Sequence, residues 1–330
     1  MKILVTGGAG FIGSHFVDLV IKKKEVKKIV VIDNLEDGSL RNLDKALKSK
    51  KVKFVKADIR NFHSIKNLFK NIDKVVHFAA LSDVVPSIVE PKLYMDNNIN
   101  GTINILESMK INRVKKIVYA ASSSCYGIPN KFPTRENSPM DPRYPYAMSK
   151  LVCENIIEHW SSVYGFDFIS LRLFNVYGTR SRTNSAYGAA LGVFLKQKIL
   201  NKPFTIVGNG NQKRDFIYVS DVCNAFYKAL SKNLSNQKLN IGFGKPRKVN
   251  EMIKIIGGPK TYVPKRPGEP DCTHADISKA KKLLSWKPQV TLEKGLNVVI
   301  KNINYWKDAP LWTPKKIKLA TKDWFKYIKK

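Results

Sequence analysis

Lys2-Ile3-Leu4-Val5-Thr6-Gly7-Gly8-Ala9-Gly10-Phe11-Ile12-Gly13 decides how this chain is read. A short apolar strand runs into a glycine turn, and a helical pattern follows at Phe16, Leu19 and Val20. Glycines allow a tight turn and let the backbone approach a pyrophosphate closely. The start of the helix then offers free N–H groups and the positive end of its dipole. A second strand over 29–32 ends at Asp33, roughly twenty residues after Gly13, the interval expected of a dinucleotide site. A carboxylate there accepts hydrogen bonds from both hydroxyls of an adenosine ribose and repels a 2′-phosphate, so NAD is expected over NADP.

Outward from this turn the pattern repeats. Further strands are expected over 52–55, ending near Asp58, over 75–80, and over 117–122. Helical stretches over 94–109 and 146–164 separate or follow them. Alternating strands and helices predict an α/β fold, a doubly wound parallel sheet of Rossmann type covered on both faces. Ligands bind such sheets at the carboxyl ends of the strands. Asp33, Asp58, Ala79, Ser122 and the helix bearing Tyr146 all fall at that edge, with Asp58 a candidate partner for an adenine amino group.

Tyr146-Ala147-Met148-Ser149-Lys150 places a phenol and an ammonium on one face of a helix. A free phenol titrates near pH ~10, too high for a base at neutral pH. A neighbouring cation stabilises the phenolate, so Lys150 is expected to lower the pKa of Tyr146 and make it a general base for a hydroxyl group. His77 reads as a packed strand-end histidine, and five scattered histidines suggest no metal site.

Composition narrows the class. The chain has 330 residues, of which 43% are apolar, enough for a large core and one or two domains. No apolar run approaches a membrane span, and the first residues are too short an apolar stretch for a signal peptide. Cys125, Cys153, Cys223 and Cys272 form no Cys-x-x-Cys pair and read as free thiols of a reducing compartment, so a cytoplasmic protein is expected. The net charge of +32 comes from lysines scattered along the chain, with short runs such as Lys22-Lys23-Lys24. That reads as compositional bias rather than a nucleic-acid-binding module, and it favours encounter with anionic substrates.

Together these residues resemble the extended short-chain dehydrogenase/reductase family, in its nucleotide-sugar epimerase and dehydratase branch. The matching elements are the glycine turn through Ser14, Asp33, Asp58-Ile59-Arg60, His77-Phe78-Ala79-Ala80, Asn97-Asn98-Ile99-Asn100-Gly101-Thr102, Ser122-Ser123-Ser124-Cys125-Tyr126-Gly127 and the Tyr146/Lys150 pair. Further matches are Arg172-Leu173-Phe174-Asn175-Val176-Tyr177-Gly178, Arg214-Asp215-Phe216-Ile217-Tyr218-Val219 and Arg266-Pro267-Gly268-Glu269. They span roughly residues 1–300. The resemblance implies that Ser122, Tyr146 and Lys150 are catalytic. Tyr146 would exchange a proton with a sugar 4-hydroxyl, Ser122 would hydrogen-bond the same oxygen, and Lys150 would bind the nicotinamide ribose. Gly7, Gly10, Phe11, Ile12, Gly13, Asp33, Asn34, Asp58, Ile59, Phe78, Ala79, Ala80 and Asn97 would complete a site for tightly bound NAD. Homodimerisation through helices 94–109 and 146–164 is also implied.

A 4-keto sugar formed by hydride transfer can be epimerised at C4, dehydrated, or decarboxylated if it is a uronate. The resemblance implies that dehydratases carry Asp-Glu in the two positions after the catalytic serine or threonine, and decarboxylases a glutamate at the second. Here those positions are Ser123 and Ser124, neither of which can act as a carboxylate acid or base. A UDP-hexose 4-epimerase is therefore expected. A nucleotide-sugar 4,6-dehydratase or UDP-glucuronate decarboxylase is the alternative within the family, and a non-catalytic NAD-binding regulator the alternative outside it.

The second half reads as the substrate side. A helix over 187–200, a strand Phe204–Val207, strands over 216–219 and 239–241, and a helix over 222–230 are expected. The resemblance implies interleaved domains: 1–175 with about 215–241 binding NAD, and 176–214 with 242–300 forming a smaller mixed α/β substrate-binding domain. Arg214 and Arg266 would contact the pyrophosphate, Asn175 a phosphate oxygen, and Glu269 the nucleoside ribose. Ser123 and Ser124 are also candidate substrate contacts, while Arg180 and Arg182 read as surface charges. At Thr273 a small side chain permits an N-acetyl group on the sugar. The basic tail 301–330 carries a helix start at Thr313-Pro314, with Ile317, Ala320, Trp324, Phe325 and Ile328 expected on one face that docks on the chain's own domain.

Overall fold

The computed structural model describes residues 1–182 and 190–328. The chain runs through β1 (Lys2–Thr6), β2 (Lys28–Asp33), β3 (Val52–Lys56), β4 (Lys74–His77), β5 (Lys116–Ser122) and β6 (Asp167–Leu173). It continues through β7 (Val176–Tyr177), β8 (Phe204–Val207), β9 (Lys213–Arg214), β10 (Ile217–Tyr218), β11 (Gln237–Ile241), β12 (Arg247–Lys248) and β13 (Lys260–Val263). Seven strands form one parallel sheet in the order β11-β6-β5-β4-β1-β2-β3. The strand order reverses at β1, which lies between β2 and β4, and this switch point is where a doubly wound sheet opens its ligand crevice.

Both faces of the sheet are covered, and β1 shows why its sequence is apolar without alternation. Ile3 and Val5 enter one core cluster, while Leu4 enters the other. Helices Phe11–Val20 and Val219–Ser231 pack against each other on the first face. Helices Gly101–Ile111 and Pro145–Tyr164 lie together on the second.

Several expectations are shifted. The strand expected over 75–80 ends at His77, because Phe78 and Ala79 turn away while their N–H groups bond Thr6 O (3.1 Å) and Thr6 Oγ1 (3.3 Å). The helix expected over 94–109 begins as Pro91–Met95 and widens into a π-turn at Asp96–Asn100 before continuing as Gly101–Ile111. In that turn Asn98 accepts from Leu81 N–H and donates to Leu81 O and Ser149 Oγ, pinning the segment that follows β4 to the Tyr146 helix. Strand β6 had no counterpart in the sequence reading. The strand expected over 216–219 is only Ile217–Tyr218, paired with β7. The helix expected from 187 is described as Ala190–Ile199, and its first three expected residues lie outside the described ones.

The tail departs from a single helix. Thr313 caps Pro314–Ala320 by accepting from Lys316 N–H, and Thr321 separates it from a second helix, Lys322–Tyr327. Ile317 and Trp324 are buried against the chain itself, whereas Phe325 is 47% exposed. Among the described residues no helix is long and apolar enough to cross a membrane.

Candidate active site

A cleft of about 440 Å³ opens at the carboxyl edge of the sheet over β1, β2 and β4. Every cofactor residue expected from sequence lines it except Asp58. Gly7 adopts φ +66°, and a Cβ there would stand 2.6 Å from Ala79 N. A Cβ on Gly13 would stand 2.2 Å from Gly7 O, so the turn closes only on glycine. Gly10 caps helix Phe11–Val20 with no side chain over the helix end, so the first-turn N–H groups face the cleft uncovered by a cap. Turn, uncapped helix end and acidic strand end fit a dinucleotide: the first two cradle its pyrophosphate.

Asp33 ends β2 with its carboxylate held by two backbone donors, Ala9 N–H (2.9 Å) and Leu35 N–H (2.9 Å). Burial pushes its pKa up, partly opposed by those two bonds. Asp58 lies just outside the cleft, gripped by Arg60 Nη2 at 2.6 Å and by Asn34 Nδ2 at 3.3 Å. The Arg60 side-chain hydrogen bond holds the Asp58 carboxyl below its usual range.

Ser122, Tyr146 and Lys150 meet in the same cleft. Ser122 ends β5 and caps the short turn Ser123–Tyr126, its Oγ accepting from Ser124 N–H (3.2 Å) and lying 2.8 Å from Ser124 Oγ. Ser123 and Ser124 do not line the cleft; Ser124 instead holds Ser122. Pro145 starts the helix in its first turn, which sets Tyr146 at its mouth and Lys150 one turn inside.

The expected effect of Lys150 on Tyr146 is not what this site shows. Burial pushes the phenol up to about 12, the Ser122 hydroxyl pulling the other way. Burial also brings Lys150 down to about 8. Its ammonium sits 4.5 Å from the Tyr119 ring centre, over a residue of the adjoining strand. Desolvation therefore outweighs the through-space cation in the protein alone.

His77 is buried and packed, as its sequence position suggests. Its Nδ1 pairs with Thr6 Oγ1 (2.7 Å) and its Nε2 with Thr102 Oγ1 (3.0 Å), and burial lowers its pKa to about 3. All four cysteines are free, and burial raises each thiol. Among the described residues no cluster of three or more His, Cys, Asp or Glu is arranged to hold a metal.

The residues expected to contact substrate lie as follows. Asn175 lines the cleft, and Thr273 Oγ1 donates to its Oδ1 (2.7 Å) while accepting from Asp215 N–H (3.0 Å). Thr273 N–H bonds Lys213 O, leading into Arg214. Arg214 Nη2 meets Glu269 Oε1 at 3.0 Å, and Arg266 Nη1 lies 4.0 Å from Glu269 Oε2. Both arginines are nearly buried, and Arg214 and Glu269 line a second hollow of about 520 Å³.

Arg182 and Asp83 are among the cleft residues that the sequence did not point to. Arg182, taken as a surface charge, lines the cleft and bonds Glu36 O (3.0 Å) and Asp37 Oδ1 (3.2 Å). Arg180, by contrast, pairs with Asp18 at 2.7 Å. Asp83 also lines the cleft, and its charge adds to the upward push on Tyr146. The signal for Asp83 was its place just past Phe78-Ala79-Ala80, in the segment that peels from β4.

A dinucleotide crevice that ends in a serine, a tyrosine and a lysine defines a short-chain dehydrogenase-type site. Residues 4–299 match the family model described as GDP-mannose 4,6 dehydratase. A putative UDP-glucose 4-epimerase of Methanocaldococcus jannaschii is 40% identical over 306 residues, covering 90% of this chain and 97% of that protein. The UDP-glucuronic acid 4-epimerase of Bacillus cereus, solved with UDP-glucuronic acid and NAD, superposes with a TM-score of 0.85 at 33% identity, covering 93% of this chain and 99% of that one. The UDP-N-acetylglucosamine 4-epimerase of Methanobrevibacter ruminantium, solved with UDP-N-acetylmuramic acid, gives 0.84 at 32%, covering 91% and 98%. The chain belongs to the extended short-chain dehydrogenase/reductase family, in the branch of nucleotide-sugar epimerases and dehydratases.

Proposed function

We propose that this chain is an NAD-dependent 4-epimerase of a UDP-linked hexose, acting on the glucose/galactose pair or its N-acetylhexosamine counterparts. The observation that carries the reading is the meeting of Ser122, Tyr146 and Lys150 at one end of a cleft whose other wall is the glycine turn and Asp33. The names of the similar proteins support the nucleotide and the type of reaction. When bound, NAD would supply the hydride acceptor and donor for sugar C4.

The chain's own residues do the rest. With the positive charge of a bound oxidised nicotinamide added to that of Lys150, the Tyr146 phenolate would be favoured despite its burial, and Tyr146 Oη would take the proton of the 4-hydroxyl and give it back after the sugar has turned. Ser122 Oγ hydrogen-bonds the same sugar oxygen and keeps it near Tyr146. Lys150 would bind the cofactor's nicotinamide ribose, and Asp33 would accept hydrogen bonds from its adenosine ribose hydroxyls. Arg214 and Arg266 hold the diphosphate with their forked N–H groups, aided by Asn175, and Glu269 takes the nucleoside ribose. The compact Thr273 leaves room at sugar C2. In this reading 1–175 with 215–241 carry the cofactor and 176–214 with 242–300 the nucleotide sugar. The enzyme works in the cytoplasm as a homodimer.

Asp83 favours one second reading, 4,6-dehydration, because it puts a carboxylate in the cleft despite the serines at 123 and 124. Proton NMR of the purified protein with UDP-glucose, UDP-N-acetylglucosamine and UDP-glucuronate separates the two. The epimerase reading expects the C4 epimer of at least one sugar without added NAD. A 4-keto-6-deoxy product that disappears in Asp83→Asn would establish the dehydratase instead.

A further inference from the structure

The matched family region ends at 299, and the chain continues past it with a tail that returns to the site. Trp306 Nε1–H donates to Ser181 O (2.8 Å), next to the cleft residue Arg182. Gln197 Nε2 donates to Trp312 O (2.8 Å), seating the next stretch on helix Ala190–Ile199. The last helix, Lys322–Tyr327, then packs on helix Val84–Val89, which begins just after Asp83.

Trp324 is the residue this path delivers, and it is 1% exposed. Its Nε1–H donates to Pro267 O at 2.8 Å. Its ring lies 6.0 Å from the Arg266 guanidinium carbon and 5.8 Å from the Tyr144 ring. One indole thus ties the Arg266-Pro267 segment to the start of the helix that carries Tyr146.

We propose that Trp324 is a positioning residue for the nucleotide diphosphate: it fixes Arg266 for phosphate binding and sets it at a constant distance from Tyr146. This rests on the epimerase reading, in which Arg266 meets the diphosphate. A free arginine side chain loses rotamer entropy each time it binds an anion. An indole beside the guanidinium, with its N–H bonded to the next residue's carbonyl, removes much of that freedom beforehand.

The test compares Trp324→Ala and Trp324→Phe with wild type in three readouts: UDP affinity by calorimetry, kcat and KM for the nucleotide sugar, and retained NAD. Trp324→Ala is expected to raise the UDP Kd and the sugar KM about ten-fold, the upper range of such a contact. Its kcat stays within about three-fold and its NAD content is unchanged, since uniform binding is what is lost. Trp324→Phe recovers most of the affinity. In an Arg266→Ala background, Trp324→Ala adds little, because its effect runs through Arg266. A lowered melting temperature with unchanged KM and UDP Kd, or effects that add fully with Arg266→Ala, would overturn the proposal. If wild type binds UDP yet converts no nucleotide sugar, the epimerase reading fails, and Trp324 stands or falls on UDP affinity alone.

Discussion

At the residue scale, the site turns on a phenol that its surroundings hold protonated. Tyr146 is driven up to about 12 by burial, while Lys150 stacks over Tyr119 and falls to about 8. The pairing of Tyr146 and Lys150 was legible in the sequence because helical spacing fixes it. The Tyr119 ring under the lysine was not, since that neighbour comes from a strand far away in the chain. Tyr146→Phe should lower kcat by about 10³-fold, within the range for loss of a positioned base, and leave NAD bound. Turnover assays beside cofactor content after denaturation check both halves. Asp33→Ser should weaken NAD retention and narrow the preference for NAD over NADP, because it removes both the ribose acceptor and the charge that repels a 2′-phosphate. Titrating each cofactor into stripped protein measures this.

At the element scale, the β1 turn carries the cofactor argument. A methyl at Gly13 would strike Gly7 O, backbone that cannot move without opening the turn. Gly13→Ala should cost about 3 kcal/mol, as overpacking against fixed backbone does, and should abolish NAD retention. Urea melts and cofactor content report it. Strand β4 supplies a pH effect. His77 has a folded pKa of about 3, below the ~6.5 of the unfolded chain. Between those values the unfolded state binds more protons, so stability falls as pH drops through this window and is unaffected by His77 above it. The loss at pH 5 should be about 2 kcal/mol, and His77→Gln should flatten the dependence of melting temperature on pH between 7 and 5. The glycine turn, β1 to β5 and the start of the Tyr146 helix were readable because local patterns dictate them. The π-turn at Asp96–Asn100 and the early end of β4 were not, because they depend on Asn98 bonding Leu81 and Ser149 across the fold.

At the scale of the whole molecule, the sheet order and the return of β11 beside β6 follow from chain connections that no local motif records. Arg214, Arg266 and Glu269, singled out from separated stretches of the sequence, do converge in space. The tail's docking through Ile317 and Trp324 could be anticipated from its apolar spacing, but not the partners it reaches. Light scattering should return twice the 37.4 kDa chain mass if the proposed dimer forms. Val163, 55% exposed near the end of the Tyr146 helix, offers a probe: Val163→Glu should shift the mass toward one chain if this helix forms the interface. In the proposed reaction hydride leaves C4 and returns to it while Tyr146 only takes up the 4-hydroxyl proton and gives it back. Proton NMR of the UDP-hexose reaction run in D₂O tests it most directly. The C4 epimer should accumulate with no deuterium on any ring carbon; deuterium at C5 together with a 4-keto-6-deoxy sugar would contradict it.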